Sequence, residues 1–368
     1  MEKLLEGVQG MTWQQGVMIL VGLILIYLAI KKEYEPMLLL PIGFGAILAN
    51  IPGSSAIGEG GFLTILKEAG ITTELFPILI FIAVGAMIDF SPLLKQPVML
   101  FFGAAAQFGI FVAMFLAAST GVFSIREAAS IGIIGAADGP TSIYAASRFA
   151  PNLLGPISVA AYSYMALVPM IQPPIIRALT TKRERLIRMD ANYDAKVSKR
   201  VLILFPIVVT LVAGIIAPEG VGLVGALMFG NLIRESGVLE RLSKSAQNEL
   251  ANLVTILLGI TIGSTMVASE FLKPTTLLIL GIGLLAFVFD TAGGVLFAKL
   301  INLFLRTKVN PMIGAAGISA FPMSARVIQK MALKEDPSNF ILMQAIGANV
   351  AGQIGSIIAG GVLLSLLR

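Results

Sequence analysis

The sequence predicts an all-α polytopic membrane protein, on the basis of its composition, its hydropathy and the form of its apolar runs. Of the 368 residues, 57% are hydrophobic and 13% are charged, whereas soluble domains carry about 25% charged residues. The mean hydropathy is +0.90, so a water-soluble globule could not bury the apolar surface. The apolar runs are continuous, which excludes the two-residue alternation of a membrane β-barrel. We expect about 10–12 membrane segments in two related, inverted repeats with broken or re-entrant helices.

Cysteine and histidine are absent from the chain, and their absence limits its chemistry. Without cysteine there is no thiolate nucleophile, disulfide or iron–sulfur ligand, and without histidine the commonest proton relay is missing. The remaining donors are carboxylates, hydroxyls, amides and carbonyls, which suit Na⁺, Ca²⁺ or H⁺ better than transition metals. The net charge of +5 indicates positively charged cytosolic loops rather than a nucleic-acid surface.

The apolar runs fall into two groups, separated by a charged segment. Residues 182–200 hold seven Lys or Arg and three Asp or Glu, and the positive-inside rule places them in the cytosol. We therefore expect a first membrane repeat at 1–181, a charged cytosolic linker at 182–200 and a second membrane repeat at 201–368.

Each expected element ends where polar residues or glycines interrupt an apolar run. The first run stops at Lys31, and residues 53–75 are Gly-rich and mixed, which predicts a surface loop with a short amphipathic helix. The N-terminus has no Ala-x-Ala-like cleavage site, so we expect it to be mature sequence. The expected membrane segments are 16–30, 37–51, 76–92, 97–120, 127–148 and 152–180, followed by 201–217, 220–233, 250–271, 275–305, 311–330 and 338–367.

Similar stretches recur in the two halves in the same order. Residues 79–94 resemble 256–272, and residues 133–148 resemble 312–327. This pattern favours an internal duplication, although chance similarity between Gly/Ala/Leu-rich helices is an alternative. Duplicated membrane halves are often inverted, with the substrate site between them near the midplane. Inversion requires an odd number of crossings in each half, and the sequence leaves open whether 127–148 and 311–330 cross fully or re-enter.

The sharpest local signal is the stretch from Gly135 to Ser142, GAADGPTS, inside an apolar run. Gly139-Pro140 interrupts a helix, and broken backbone within a membrane needs protein or water to satisfy it. A carboxylate at this depth is expensive, so Asp138 is a functional candidate. Freed carbonyls and the hydroxyls of Thr141 and Ser142 would complete an oxygen-rich Na⁺ site. The alternative is an ordinary turn at the membrane edge.

The matching element in the second half has glycines, a proline and hydroxyls but no acid, so the two half-sites are expected to differ in charge. In the last apolar run, Asn349, Gln353 and Ser356 fall at i, i+4 and i+7, on one helix face. Gly352 lies near that face and would permit close backbone approach. The alternative is helix packing with polar groups as interhelical contacts.

Other charged residues in the apolar runs each have two possible roles. Asp290 could belong to a proton or ion relay, or it could mark a helix boundary. Arg326 and Lys330 lie one turn apart and could attract an anion, or they could anchor the chain at the membrane interface. The chain has no GxxxxGK[ST] loop for ATP and no Met-Lys-Met biotin-attachment motif.

These motifs resemble those of the β subunits of sodium-translocating, biotin-dependent decarboxylases, which include the oxaloacetate, methylmalonyl-CoA, glutaconyl-CoA and malonate systems. The resemblance covers most of the chain. One departure is Ala136, where family members usually carry Gly. The five motifs are GAADGPTSIYAASRFAP (135–151), SYMALVPMIQPPI (163–175), GNLIRESGVLERL (230–242), KVNPMIGAAGISAFPMSARV (308–327) and PSNFILMQAIGANVAGQIGS (337–356).

The resemblance implies a primary sodium pump. A partner subunit transfers a carboxyl group to biotin, and the β subunit decarboxylates carboxybiotin, consumes a proton and moves Na⁺ outward. The implied partners are a carboxyltransferase α subunit, a small membrane γ subunit and a biotin carrier protein, in the cytoplasmic membrane of a prokaryote. Whether the chain also forms a homo-oligomer stays open.

The resemblance also implies roles for individual residues. It gives catalytic roles to Asp138, Tyr164, Asn349 and Ser356. With the hydroxyls noted above, the expected Na⁺ ligands are Asp138, Thr141, Ser142, Asn349, Gly352 and Ser356. Apart from the resemblance, the charge and spacing of Arg326 and Lys330 make them the expected carboxybiotin contacts.

A second hypothesis is a secondary transporter that couples Na⁺ to an organic anion. Broken helices, an internal repeat and an acid in the membrane fit it equally well. Only the long motifs favour the decarboxylase, and copurification of biotin-carrier and carboxyltransferase chains would discriminate between the two.

Overall fold

The computed structural model describes residues 10–33, 35–189 and 196–367, and these residues form helices and loops without a β-strand. Six of the described helices are long and apolar enough to cross a membrane alone. A seventh span results if Phe62–Thr72 and Leu75–Met87, which meet at 63°, form one broken helix. The other apolar runs form shorter or interrupted helices, which confirms the all-α membrane class.

The helices of the first half are α1 (Trp13–Lys32), α2 (Pro36–Asn50), α3 (Phe62–Leu66), α4 (Leu75–Met87), α5 (Ser91–Lys95), α6 (Met99–Ala105), α7 (Phe108–Ser119), α8 (Ile125–Ile133), α9 (Gly139–Phe149), α10 (Leu154–Leu179) and α11 (Lys182–Arg185). Those of the second half are α12 (Lys199–Ile216), α13 (Val221–Ser236), α14 (Glu240–Ser245), α15 (Ala251–Ser264), α16 (Ala268–Phe271), α17 (Pro274–Ile301), α18 (Met312–Ala315), α19 (Met323–Glu335) and α20 (Leu342–Leu366).

Side chains at several helix starts explain where these helices begin. Thr12 and Gln15 form a capping box at the start of α1, and Ser124 and Glu127 form another at α8. Each box satisfies backbone donors that the first helical turn leaves unpaired. At its other end, α1 carries Lys31 and Lys32, which interact favourably with the negative end of the helix dipole.

Helices at corresponding places in the two halves pack in corresponding ways. α2 packs along α15, and α13 packs along α4. A Cβ at Gly263 would lie 2.0 Å from the carbonyl oxygen of Ile42, and a Cβ at Gly230 would lie 2.0 Å from that of Ile82. Both helix pairs therefore depend on a glycine for close approach. A π-helical turn precedes α4 at Lys67–Thr72 and α15 at Ala246–Leu250.

The helices form two groups. In the first group, which we call the framework, α1 packs on α2, α2 on α15, α15 on α4, α4 on α13 and α13 on α12. In the second, which we call the central group, α20 packs on α5, α6 and α19, while α17 packs on α7, α10 and α18. The helices α8 and α9 pack on each other and on their neighbours α7 and α10 in the central group.

Two broken elements of the central group turn back on themselves. Asn152, just after α9, donates a hydrogen bond from Nδ2 to Oε1 of Glu127 at the start of α8, at 2.8 Å. Asn310 before α18 and Asn339 after α19 both donate to the carbonyl oxygen of Arg185, at 2.9 and 3.3 Å. We call residues 125–149 the first hairpin and residues 312–335 the second hairpin.

Candidate functional site

The site is built where the tips of the two hairpins meet. The backbone N–H of Ser319 donates to the carbonyl oxygen of Ala136 at 3.0 Å. In the first tip, a 3₁₀ turn at Ile134–Ala136 ends at Ala137, whose φ is +54°. This left-handed conformation is uncommon for a residue with a Cβ, and it redirects the chain so that Asp138 becomes the N-cap of α9.

Asp138 is buried, with 4% of its surface exposed, and its partners are uncharged. Its Oδ2 accepts hydrogen bonds from Thr141 Oγ1 at 2.7 Å and from Ser356 Oγ at 3.0 Å. Its Oδ1 accepts from the backbone N–H of Thr141 at 3.3 Å. No ion pair among the described residues involves Asp138. An isolated buried carboxylate is costly, so this arrangement favours a bound cation or a proton.

At the tip of the second hairpin, which we call the second tip, three side-chain amides donate hydrogen bonds to the consecutive backbone carbonyls of residues 317–319. The acceptors follow one another along the unwound chain, and the donors come from the break between α6 and α7 and from α20. The oxygens Gln107 Oε1 and Asn349 Oδ1 are buried and have no hydrogen-bond partner among the described residues, so they could ligate a cation. The pairs are Gln107 Nε2 to Gly317 O at 3.3 Å, Asn349 Nδ2 to Ile318 O at 2.6 Å, and Gln353 Nε2 to Ser319 O.

Gly352 lets α20 lie directly against the second tip. A Cβ at this position would lie 2.2 Å from the carbonyl oxygen of Gly317. The carbonyl oxygen of Gly352 accepts a hydrogen bond from Ser319 Oγ at 2.8 Å. Gly352 therefore allows α20 to pack closely against the second tip and presents a backbone oxygen there.

The structure separates the predicted site residues into two sets. Asp138, Thr141 and Ser356 share direct hydrogen bonds, and Asn349 contacts the neighbouring tip. Ser142 lies beside them, but its Oγ donates to the backbone oxygen of Asp138 at 2.8 Å rather than to the carboxylate.

The other predicted residues lie away from the carboxylate. Tyr164 donates its hydroxyl to the carbonyl oxygen of Leu280 on α17. Arg326 and Lys330 are both exposed on α19. The structure does not join these three side chains to Asp138.

A cavity of about 270 Å³ extends from Asp138 along the boundary between the framework and the central group. Burial raises the pKa of Glu35 at this cavity, and the guanidinium of nearby Arg326 opposes that rise. The framework contributes Glu35, Asn252 and Thr255, and the central group contributes Tyr162, Ser319, Phe321, Pro322 and Gln353.

Sequence reasoning gave no role to Tyr162 or Gln107. Tyr162 lines the cavity beside Asp138, and its buried hydroxyl has no hydrogen-bond partner in the described part of the chain. Its ring packs on Gly139, where an added Cβ would lie 2.3 Å from the ring atom that carries the hydroxyl. Gln107 stands in the middle of an apolar run, and that isolated amide was a usable signal.

Asp290 lies inside α17 and is fully buried. The helix-boundary alternative is therefore wrong, because the helix continues for a further three turns. One carboxylate oxygen accepts from the backbone N–H of Gly109 at the start of α7. The other faces Gly135 in the first tip and has no hydrogen-bond partner within residues 10–33, 35–189 and 196–367.

Comparison with known proteins agrees with the motifs. The family model of the Na⁺-transporting oxaloacetate decarboxylase β subunit matches residues 14–367. The β subunit of methylmalonyl-CoA decarboxylase from Propionigenium modestum is 50% identical, over 98% of this chain and 96% of its own length. The β subunit of glutaconyl-CoA decarboxylase from Acidaminococcus fermentans is 51% identical, over 98% and 96%. The oxaloacetate decarboxylase β chain of Klebsiella pneumoniae is 48% identical, over 95% and 94%.

These matches span nearly the whole chain and include the residues of both hairpin tips. They support the decarboxylase hypothesis over the secondary-transporter alternative. The chain belongs to the family of membrane-embedded β subunits of Na⁺-transporting decarboxylases.

Proposed function

We propose that this chain decarboxylates carboxybiotin, which a biotin carrier partner delivers, and couples that reaction to outward Na⁺ transport with consumption of a proton. The observation that carries the proposal is the environment of Asp138. A buried carboxylate with only hydroxyl and amide-type partners lies where two hairpin tips meet, and a cavity reaches it from one side.

The charge distribution favours a cytosolic opening for this cavity, in the cytoplasmic membrane of a prokaryote. The α1–α2 loop beside Glu35 follows Lys31 and Lys32, and the second hairpin ends against the basic segment around Arg185. By the positive-inside rule, this side faces the cytosol. A soluble biotin carrier would then reach the cavity directly.

The same orientation favours an inverted duplication with boundaries at 1–181, 182–200 and 201–368. If each hairpin re-enters, each half has five crossing elements, and an odd number is what inversion requires. The crossing elements would be α1, α2, α4, α6–α7 and α10, and then α12, α13, α15, α17 and α20. The matching packing of α2 on α15 and α13 on α4 supports this duplication.

Competition between Na⁺ and a proton for Asp138 would couple the two events. When carboxybiotin loses CO₂, the electrons of the broken C–N bond stay on the ureido nitrogen, which then takes up a proton. Na⁺ binding would displace the proton from the protonated carboxyl of Asp138 and so supply it to the ureido nitrogen, and reprotonation of the carboxylate would later expel Na⁺. Thr141, Ser142, Ser356 and Gly352, with the unpaired Oδ1 of Asn349, are the proposed further ligands.

Tyr164, whose role the family resemblance suggests, and the cationic pair Arg326 and Lys330 also have proposed roles. We propose Tyr164 as a proton-coupled residue that acts through its contact with α17. We propose Arg326 and Lys330 as contacts for the carboxylate of carboxybiotin, because both are cationic and exposed on the helix that follows the second tip.

The acyl substrate is proposed to be chosen by another subunit. Relatives named for methylmalonyl-CoA, glutaconyl-CoA and oxaloacetate are 50%, 51% and 48% identical to this chain, so similarity does not follow substrate class. A carboxyltransferase α subunit would select the substrate, and a small membrane γ subunit would complete the complex.

The test is to purify the chain from its native membrane and assay decarboxylation with and without Na⁺. We expect avidin-binding protein and carboxyltransferase to copurify, and Na⁺ to stimulate CO₂ release. A chain that purifies alone and catalyses Na⁺-driven anion uptake in vesicles would contradict the proposal.

A further inference from the structure

The two ends of the boundary between the framework and the central group differ. At the end proposed to face the cytosol, the cavity separates the groups as far as Asp138. At the opposite end, charged side chains join them. The charged side chains that join the groups include those at the C-terminal end of α9, the helix whose N-cap is Asp138.

Arg148 near the end of α9 binds two framework carboxylates at once. Its Nε lies 2.8 Å from Oε1 of Glu74, and its Nη1 lies 2.9 Å from Oε2 of Glu219. Two neighbours on α9 add further links between the groups. Ser147 Oγ donates to Glu74 Oε1 at 3.5 Å, and Tyr144 Oη donates to the backbone oxygen of Glu219 at 3.0 Å.

The geometry of these contacts distinguishes them from a simple surface ion pair. The side chains of Glu74 and Glu219 are only 15% and 25% exposed, and the guanidinium of Arg148 stacks 4.7 Å from the centre of the Tyr144 ring. Glu74 adopts φ +63°, a left-handed conformation, at the start of α4. Clustered and partly desolvated pairs contribute more than isolated exposed ones.

The corresponding cationic residue of the second hairpin has no such partner. Arg326 makes no ion pair with any of the described residues, and neither does Glu35, although the two are close enough to influence each other. Both sets lie across the boundary between the framework and the central group. Arg148 is paired with Glu74 and Glu219, whereas Arg326 and Glu35 are near each other but unpaired among the described residues. The described conformation is thus open on one side and fastened on the other.

We propose that Glu74, Arg148 and Glu219 form the outer gate of the Na⁺ path, a proposal that rests on the proposed function. These ion pairs break when the central group moves against the framework to release Na⁺ outside. In that conformation Arg326 approaches Glu35 and closes the cytosolic cavity. The gate lies one helix length from Asp138, about 16 Å for the 11 residues of α9 at about 1.5 Å per residue.

The absence of native cysteine makes a thiol-bridging test straightforward. In the assembled complex, the pair Glu74→Cys and Ser147→Cys is bridged with a bifunctional methanethiosulfonate. We expect bridging to reduce Na⁺ transport and Na⁺-stimulated decarboxylation more than tenfold, with full recovery after reduction. The control pair, Glu127→Cys and Asn152→Cys, joins the start of α8 to the turn after α9 and does not cross the boundary to the framework, so bridging it should change neither rate by more than twofold.

A bridged Glu74→Cys/Ser147→Cys complex that turns over at its unbridged rate would overturn the gate. A second measurement covers the case in which this pair impairs folding. In proteoliposomes, Arg148→Gln should retain decarboxylation while moving fewer Na⁺ ions per CO₂, because the outer side no longer closes. An unchanged ratio would also overturn the gate. If the wild-type complex itself lacks Na⁺-stimulated decarboxylation, the proposed function fails instead.

Discussion

The two hairpins meet at their tips and bring different chemistry to the same point. The first tip presents a carboxylate, Asp138, held by hydroxyls of Thr141 and Ser356. The second presents backbone carbonyls at 317–319, each held by a side-chain amide. The fixed negative charge at the meeting point therefore comes from one half of the chain only, and the other half supplies dipoles.

The same difference explains how each tip is held. Asp138 caps α9 through the backbone N–H of Thr141, so the charged residue is also structural. At the start of α19, Pro322 provides no side-chain cap. The second tip depends instead on contacts with α20 and Gln107. Substitutions in the first tip should mainly change the charge of the site, and substitutions around the second tip should mainly shift the position of its backbone carbonyls.

The largest effect is expected from removing the negative charge of Asp138. Asp138→Asn keeps the size and the cap acceptor but removes the negative charge that a cation would neutralise. We expect no Na⁺-stimulated decarboxylation above background at saturating Na⁺, measured as CO₂ release by the purified complex. Glu270→Gln, at an exposed ion pair with Lys273, is the matched control. A wild-type rate for Asp138→Asn would show that the charge of the first tip is dispensable.

The next largest effect is expected from displacing the second tip. In Gly352→Ala the new methyl group meets the carbonyl oxygen of Gly317 at 2.2 Å, and such overpacking costs about 1–3 kcal/mol. We expect a lower melting temperature and a large loss of activity. Gly281→Ala, on the exposed side of α17 with no atom within 4 Å of the new Cβ, should change neither. Equal behaviour of the two variants would show that close contact with α20 is not required.

Local sequence patterns predicted much of this site because most of its polar residues lie in short motifs. The interrupted GAADGP stretch (135–140) indicated Asp138 as a site residue, and the helical spacing of Asn349, Gln353 and Ser356 predicted that they share one helix face. The contact of Ser319 with Ala136 joins residues far apart in the chain, and no local pattern encodes it. For the same reason the sequence could not show that Tyr162, rather than Tyr164, lines the cavity.

A moderate effect is expected from the amide that holds the second tip. Asn349→Ala removes the hydrogen bond to Ile318 and the unpaired Oδ1. One lost net hydrogen bond is worth about 1.4 kcal/mol, so we expect the KM for Na⁺ to rise about tenfold. Asn248→Ala, which removes an exposed bond to Lys244 on the framework, serves as the control. An unchanged KM would show that the side-chain amide of Asn349 does not contribute to Na⁺ binding.

The smallest effect tests the two neighbouring hydroxyls of the first tip. Thr141→Val removes the hydroxyl that donates to Asp138 Oδ2 but leaves its backbone N–H in place. We expect the KM for Na⁺ to rise about threefold, which corresponds to about 0.7 kcal/mol, near the low end for one hydrogen bond. Ser142→Ala, at the other proposed hydroxyl ligand, should raise the KM less, by no more than about twofold, because its Oγ faces the backbone oxygen of Asp138 and must turn to reach the ion.

The pair also distinguishes two ways in which the first tip could bind Na⁺. If the ion takes its ligands from side-chain hydroxyls that already face the carboxylate, only Thr141→Val raises the KM. If binding turns Ser142 away from the backbone and toward the ion, both variants raise it. The second result would mean that the first tip rearranges when it binds Na⁺. The fixed amide contacts of the second tip would then supply the rigid half of the site, and the charged half would be the one that moves.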